Sequence, residues 1–98
     1  MRLSTEVKNQ IVTYAQYHFG DAIKLYLFGS RVYDNKKGGD IDLFIENSKR
    51  IDMKVQMTFL KDIYKHVTQR KIDLLIKSSS APDKPVFHTA KHEGILLC

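Results

Sequence analysis

The chain has 98 residues, of which 43% are hydrophobic and 28% charged. This composition is ordinary for a soluble globular protein, and the length fits a single domain, 1–98, with a modest core. No apolar run approaches the ~20 residues of a membrane-spanning helix. The N-terminal segment lacks the apolar core of a signal peptide. The single cysteine excludes an intrachain disulfide, so we expect a cytoplasmic protein.

The net charge of +5 arises from 16 lysines and arginines against 11 aspartates and glutamates. The basic residues are spread along the chain, with short clusters at 36–37, 49–50 and 70–71. A basic surface is compatible with a nucleotide, an acidic partner or RNA, and equally with ordinary solvation. Charge alone therefore does not select a function.

The first half of the chain predicts one helix and two strands. Apolar residues recur every four positions over 3–19, which predicts a helix, and Ser4 is placed to be its N-cap. Alternating apolar residues predict a strand over 22–28, and the apolar segment 40–46 predicts a second. Both are apolar enough to be central strands of a sheet. Between them, 30–33 is compatible with one helical turn and 34–39 has the composition of an exposed loop.

The second half predicts two further helices and two further strands. In chain order these are a helix over 50–67 with Ser48 as a possible N-cap, a strand over 72–76, a loop over 77–85, a short helix over 86–93 and an edge strand over 95–97. We interpret His88 and His92 as surface residues, because no third ligand follows them in the chain.

The predicted 50–67 helix carries more apolar surface than one buried face needs. One stripe repeats every four residues from Ile51 to Val67. A second stripe beside it consists of Met53, Met57, Leu60 and Tyr64. Core packing accounts for most of this pattern, and the methionines also fit a surface for a partner.

A polar motif lies where the two predicted central strands are joined. The first strand ends in Gly29-Ser30, and the second begins with Asp40-Ile41-Asp42. Alternation along a strand places Asp40 and Asp42 on one face, with Ile41 on the other. Two adjacent carboxylates favour a divalent cation between them, and oxygen ligands suit Mg²⁺ or Mn²⁺. A glycine lets the backbone approach a ligand closely, and a serine supplies hydrogen-bond donors.

Asp73 is the third acidic residue of interest, because it lies in an otherwise apolar predicted strand. An acidic side chain there is costly to bury unless it is paired or lies near a metal. We therefore interpret Asp73 as a further metal ligand. The alternative is an ion pair with Arg31, Arg70 or Lys71.

The Gly-Ser pair followed by Asp-Ile-Asp-Leu resembles the signature of the DNA polymerase β-like nucleotidyltransferases. The shortness of the chain makes it similar to the minimal nucleotidyltransferases (MNT) of that superfamily. The resemblance implies an α/β (α+β) fold, with a small mixed sheet flanked by helices. The sequence departs from the common pattern after Gly-Ser, where Val32, Tyr33 and Asp34 replace a small residue followed by glycine, which leaves the loop shape open.

The resemblance also implies transfer of AMP from ATP with two Mg²⁺ ions. The residues that would bind metal and perform catalysis are Asp40, Asp42 and Asp73. The residues that would bind the triphosphate are Gly29, Ser30, Arg31 and Lys36. Asp73 would also accept the proton of the attacking hydroxyl.

Minimal nucleotidyltransferases are commonly antitoxins paired with an all-helical HEPN protein. The resemblance therefore implies a HEPN ribonuclease toxin as partner, with a tyrosine as the acceptor. Two alternatives remain open: an antitoxin or regulatory subunit that acts by binding alone, and a transferase that acts on RNA ends. The presence of Asp40, Asp42 and Asp73 favours an enzyme over a protein that only binds. The absence of an additional RNA-binding domain disfavours a transferase that acts on RNA ends.

Overall fold

A computed structural model of the chain describes residues 4–28, 41–78 and 84–98. In chain order its elements are α1 (Thr5–Phe19), β1 (Lys24–Phe28), β2 (Ile41–Asn47), α2 (Met53–His66), β3 (Ile72–Ser78), α3 (Pro85–Glu93) and β4 (Ile95–Leu96). The described strands form one sheet in the order β3-β2-β1-β4. β2 and β3 are parallel, and the other neighbours are antiparallel. This mixed sheet with helices confirms the predicted α/β (α+β) class, with β1 and β2 central.

The predicted N-cap of α1, Ser4, is confirmed, and the helix begins after it at Thr5. The backbone N–H of Val7 donates to Ser4 Oγ at 3.2 Å, which satisfies one of the amides that a helix start leaves unpaired. Gly20 follows the helix with φ at 95°, a conformation that favours glycine. The predicted segments 30–33 and 34–39 and the start of the second strand at residue 40 lie outside the described residues.

The prediction for the start of α2 was wrong. The helix begins at Met53, not at residue 50, and Ser48 is not its N-cap. Ile51 precedes the helix and packs against the main core cluster, which draws this segment onto the sheet. The side-chain amide of Gln56, in the first turn of α2, donates to the carbonyl of Ile51 at 3.1 Å. This hydrogen bond fixes the segment that precedes the helix.

Several other boundaries differ from the prediction by one or two residues. β3 extends through Ser78, because its parallel ladder with β2 continues to the pair of Asn47 with Ser78. Part of the predicted 77–85 loop is therefore strand. α3 begins at Pro85, where proline is tolerated because the first-turn amide needs no partner.

Both faces of the sheet are covered, one fully and one in part. The first face packs against α1 and α2, and its largest fully buried members include Ile11, Leu43, Phe59 and Ile63. The second face packs against α3 through a smaller cluster of Tyr26, Phe44, Phe87 and Ala90. The rings of Phe44 and Phe87 stack with centroids 5.6 Å apart. This packing positions α3 over the middle of β1 and β2.

A partly buried polar contact joins α1 and α2. His18 Nε2 lies 2.7 Å from Asp62 Oδ2, and the His18 side chain is only 9% exposed. The neighbouring rings of Phe19 and Phe59 approach with centroids 5.0 Å apart. The helix pair is thus fixed by a hydrogen bond as well as by apolar packing. None of the described helices is long and apolar enough to cross a membrane.

Candidate active site

The parallel ladder between β2 and β3 brings two of the predicted aspartates together. Asp42 on β2 is the register partner of Asp73 on β3. Register partners on neighbouring strands point to the same face, and the strands lie about 4.8 Å apart. Both residues are near the start of their strands, so the two carboxylates meet at one end of the sheet. Asp42 is half-buried, and the Asp73 side chain is 48% exposed.

The residues beside each aspartate point the other way, into the core. Ile41 is fully buried and Ile72 is 6% exposed, both within the larger core cluster. This confirms that Asp42 lies on the face opposite Ile41. The alternation of apolar and acidic residues thus anchors the strands on one side and presents carboxylates on the other.

The remaining predicted site residues lie outside the described part of the chain. They are Gly29, Ser30, Arg31, Lys36 and Asp40. In sequence, Gly29 directly follows Phe28, which is the register partner of Asp42 in the β1–β2 ladder.

Asp73 was chosen because an acidic side chain is costly to bury, but its side chain is nearly half exposed. Lys71 Nζ lies 3.8 Å from Asp73 Oδ1, and the Lys71 side chain is 69% exposed. This is one of the ion pairs considered from sequence. An exposed pair at this distance contributes little and leaves the carboxylate accessible to a cation. The case for Asp73 now rests on its register with Asp42.

The donor chemistry of the two aspartates fits a hard divalent cation. Carboxylate oxygens are the ligands that Mg²⁺ and Mn²⁺ prefer, and both side chains are at least partly accessible. Within residues 4–28, 41–78 and 84–98, no three His, Cys, Asp or Glu side chains form a metal-binding group. A complete site would need a further ligand, and Asp40 directly precedes β2 in sequence.

Hydrogen bonds hold the start of β3 from two sides. The N–H of Ile41 donates to the carbonyl of Lys71 at 2.8 Å. The N–H of Ile72 donates to the hydroxyl of Tyr64, on the last turn of α2, at 2.8 Å. From the sequence, Tyr64 is predicted only as part of an apolar stripe, and this contact is not predicted. The spacing of eight residues between Tyr64 and Ile72 carries no signal that would have revealed it.

A cavity of about 240 Å³ lies farther along the same face of the sheet. Its lining residues are Phe44, Glu46, Lys77, Phe87, His88 and Lys91. Lys91 Nζ lies 3.2 Å from Glu46 Oε1. Phe44 is two residues from Asp42, a separation of about 7 Å along a strand. The cavity therefore lies on the face that carries Asp42 and Asp73, without being lined by either of them, and it is lined by charges of both signs.

The predicted second stripe of α2 is exposed in part. Met53, Met57 and Tyr64 are 67%, 57% and 36% exposed. Leu60 is partly buried and packs against the larger core cluster. Adjacent exposed methionines on one helix face are typical of a surface that can adapt to a partner.

The sequence matches the family described as "Polymerase beta, Nucleotidyltransferase" over residues 9–98. No curated protein matches the chain. Among solved structures, the chain is similar to a chain of the tri-AMPylated Shewanella oneidensis HEPN toxin in complex with MNT antitoxin. That match has a TM-score of 0.72 and 19% sequence identity, and covers 98% of this chain and 72% of the other. At this identity the likeness establishes a shared fold.

Proposed function

Because the chain belongs to the polymerase beta nucleotidyltransferase family, we propose that it transfers AMP from ATP to a hydroxyl group of a protein partner. The observation that carries the proposal is the register of Asp42 with Asp73 on one accessible face of the sheet. Together with Asp40, these carboxylates would hold Mg²⁺. When bound, two such ions neutralise charge on the triphosphate and make the attacking hydroxyl more acidic.

The chain's own residues then have distinct roles in the proposal. Asp40 and Asp42 hold the metal, and Asp73 also accepts the proton of the attacking hydroxyl. Gly29 and Ser30 hold the β- and γ-phosphates. Positive charge near the same oxygens comes from Arg31 and Lys36. A bond forms between the acceptor oxygen and the α-phosphorus, the bond to pyrophosphate breaks, and pyrophosphate leaves.

For the acceptor, we propose a helical HEPN-type toxin, which this chain would silence as an antitoxin. The solved structure of the same fold contains a tri-AMPylated HEPN toxin with an MNT antitoxin, which supports this choice. The exposed methionines of α2 supply an apolar surface on which such a partner could dock. We further propose a tyrosine hydroxyl as the acceptor.

Intact-mass spectrometry tests the proposal directly. The chain is incubated with a candidate HEPN-type partner, ATP and Mg²⁺, and each transfer should add about 329 Da to the partner. Asp42→Asn and Asp73→Asn keep side-chain size and should each lower the transfer rate by at least about 100-fold. Asp21→Asn, an exposed carboxylate in the turn after α1, is the matched control and should transfer normally.

The second candidate function is neutralisation of the partner by binding alone, which the exposed α2 surface favours. The Asp42→Asn/Asp73→Asn double variant separates the two functions in a toxicity assay. If catalysis is required, the double variant binds the partner but does not rescue growth. Rescue without any mass change would reject the enzyme and establish sequestration.

A further inference from the structure

We propose that Tyr64 is a positioning residue that holds the start of β3 and, through it, the carboxylate of Asp73. The hydroxyl of Tyr64 accepts a hydrogen bond from the N–H of Ile72 at 2.8 Å. Ile72 directly precedes Asp73 in the strand. The inference rests on the proposed function only for the role of Asp73 in metal binding and catalysis.

The position of β3 explains why this contact matters. Among the described strands β3 lies at one edge of the sheet, with β2 on its inner side. Outward-facing amides of an edge strand lack a strand partner there, and water or a side chain must satisfy them. For Ile72, that partner is the Tyr64 hydroxyl.

The inner side of the same segment is held by β2. The N–H of Ile41 donates to the carbonyl of Lys71 at 2.8 Å. The single peptide group that joins Lys71 to Ile72 is thus held on both sides, its carbonyl by β2 and its N–H by α2. A metal-binding carboxylate must be placed within about 0.5 Å, which requires a rigid backbone below it. Tyr64 therefore supports the register that keeps Asp73 opposite Asp42.

The substitution Tyr64→Phe removes the hydroxyl and little else. Tyr64 is 36% exposed, and phenylalanine keeps the ring, so the change in packing is small. Thr58→Val is a matched control on the same helix, because it also removes a hydroxyl that bonds a backbone group: Thr58 Oγ1 donates to the carbonyl of Lys54 at 2.9 Å.

Amide hydrogen exchange tests the positioning without relying on catalysis. In Tyr64→Phe, exchange at the Asp73 amide should accelerate about fivefold, the effect of losing one hydrogen bond on local opening. Thr58→Val should leave it unchanged. An unchanged Asp73 amide in Tyr64→Phe overturns the proposal, even if the amide of Ile72 itself exchanges faster.

Single-turnover and steady-state transfer assays then test the consequence for the site. In Tyr64→Phe we expect kcat to fall about tenfold while the KM for ATP stays within about twofold. Ile11→Val, which removes one methyl group from a buried core residue on α1, should keep its kcat. A similar loss in Ile11→Val would make the effect one of general stability and overturn the proposal. If the wild-type chain transfers no AMP, the proposed function fails, and the exchange experiment alone decides the role of Tyr64.

Discussion

Replacing Asp73 by asparagine tests whether Asp42 and Asp73 form a cation site. The two residues are register partners on neighbouring strands, about 5 Å apart. In a hydrated site their repulsion costs about 1 kcal/mol, and the exposed pair with Lys71 offsets about 0.5 kcal/mol of it. Without a divalent cation, Asp73→Asn should therefore equal the wild type in stability or exceed it by about 0.5 kcal/mol.

In the presence of Mg²⁺, the wild type should become more stable than Asp73→Asn. At ten times its Kd, a cation that binds only the folded chain stabilises it by about 1.4 kcal/mol, which raises the Tm of a domain of this size by roughly 6 °C. The Tm of Asp73→Asn should rise much less on addition of Mg²⁺, because the variant has lost one of the carboxylates that bind the cation. Circular dichroism melts in EDTA and across a Mg²⁺ series measure this, with Asp21→Asn as the control. Equal Mg²⁺-induced shifts in wild type and Asp73→Asn would refute the reasoning.

Three further substitutions or treatments test other parts of the structure. His18→Ala should lower the free energy of unfolding by about 2 kcal/mol in urea titrations, because it leaves Asp62 without its 2.7 Å partner; a loss as small as that of exposed His92→Ala would contradict this. Gly94→Ala should cost at least about 2 kcal/mol, since a Cβ there would collide with a carbonyl in the last turn of α3; an unchanged Tm would show that α3 can shift. Burial raises the pKa of the Cys98 thiol, so at pH 7.5 the folded chain should react with iodoacetamide more slowly than the chain in urea; equal rates by mass spectrometry would contradict the burial.

The sheet and its central strands could be predicted because their signals are local. The segments that became β1 and β2 are rich in apolar residues, and helices cover one face of these strands and part of the other. Ser4 could be identified as an N-cap because an N-cap bonds only to backbone amides in the first turn of the helix that follows it. The start of α2 could not be placed, since it depends on Ile51 packing against a core that is distant in sequence.

The contacts that shape the candidate site were less predictable. The motif indicated Asp42, and the apolar strand around Asp73 indicated that residue, but burial was the wrong reason for choosing it. What brings the two together is strand register, which a single sequence does not reveal. The contacts of Tyr64 with Ile72 and of His18 with Asp62 join different elements, and no local pattern marks them.

The two faces of the sheet make different contributions to the proposed chemistry. The face against α1 and α2 buries Ile41 and Ile72, each next in sequence to a site aspartate, and so stiffens the backbone beneath the carboxylates. On the other face α3 packs through Phe87 against the middle of the sheet, while Asp73 remains nearly half exposed. A rigid backbone under an accessible carboxylate suits a large acceptor that brings its hydroxyl from outside. This geometry is why a protein partner, and not an enclosed small molecule, is the acceptor that we propose.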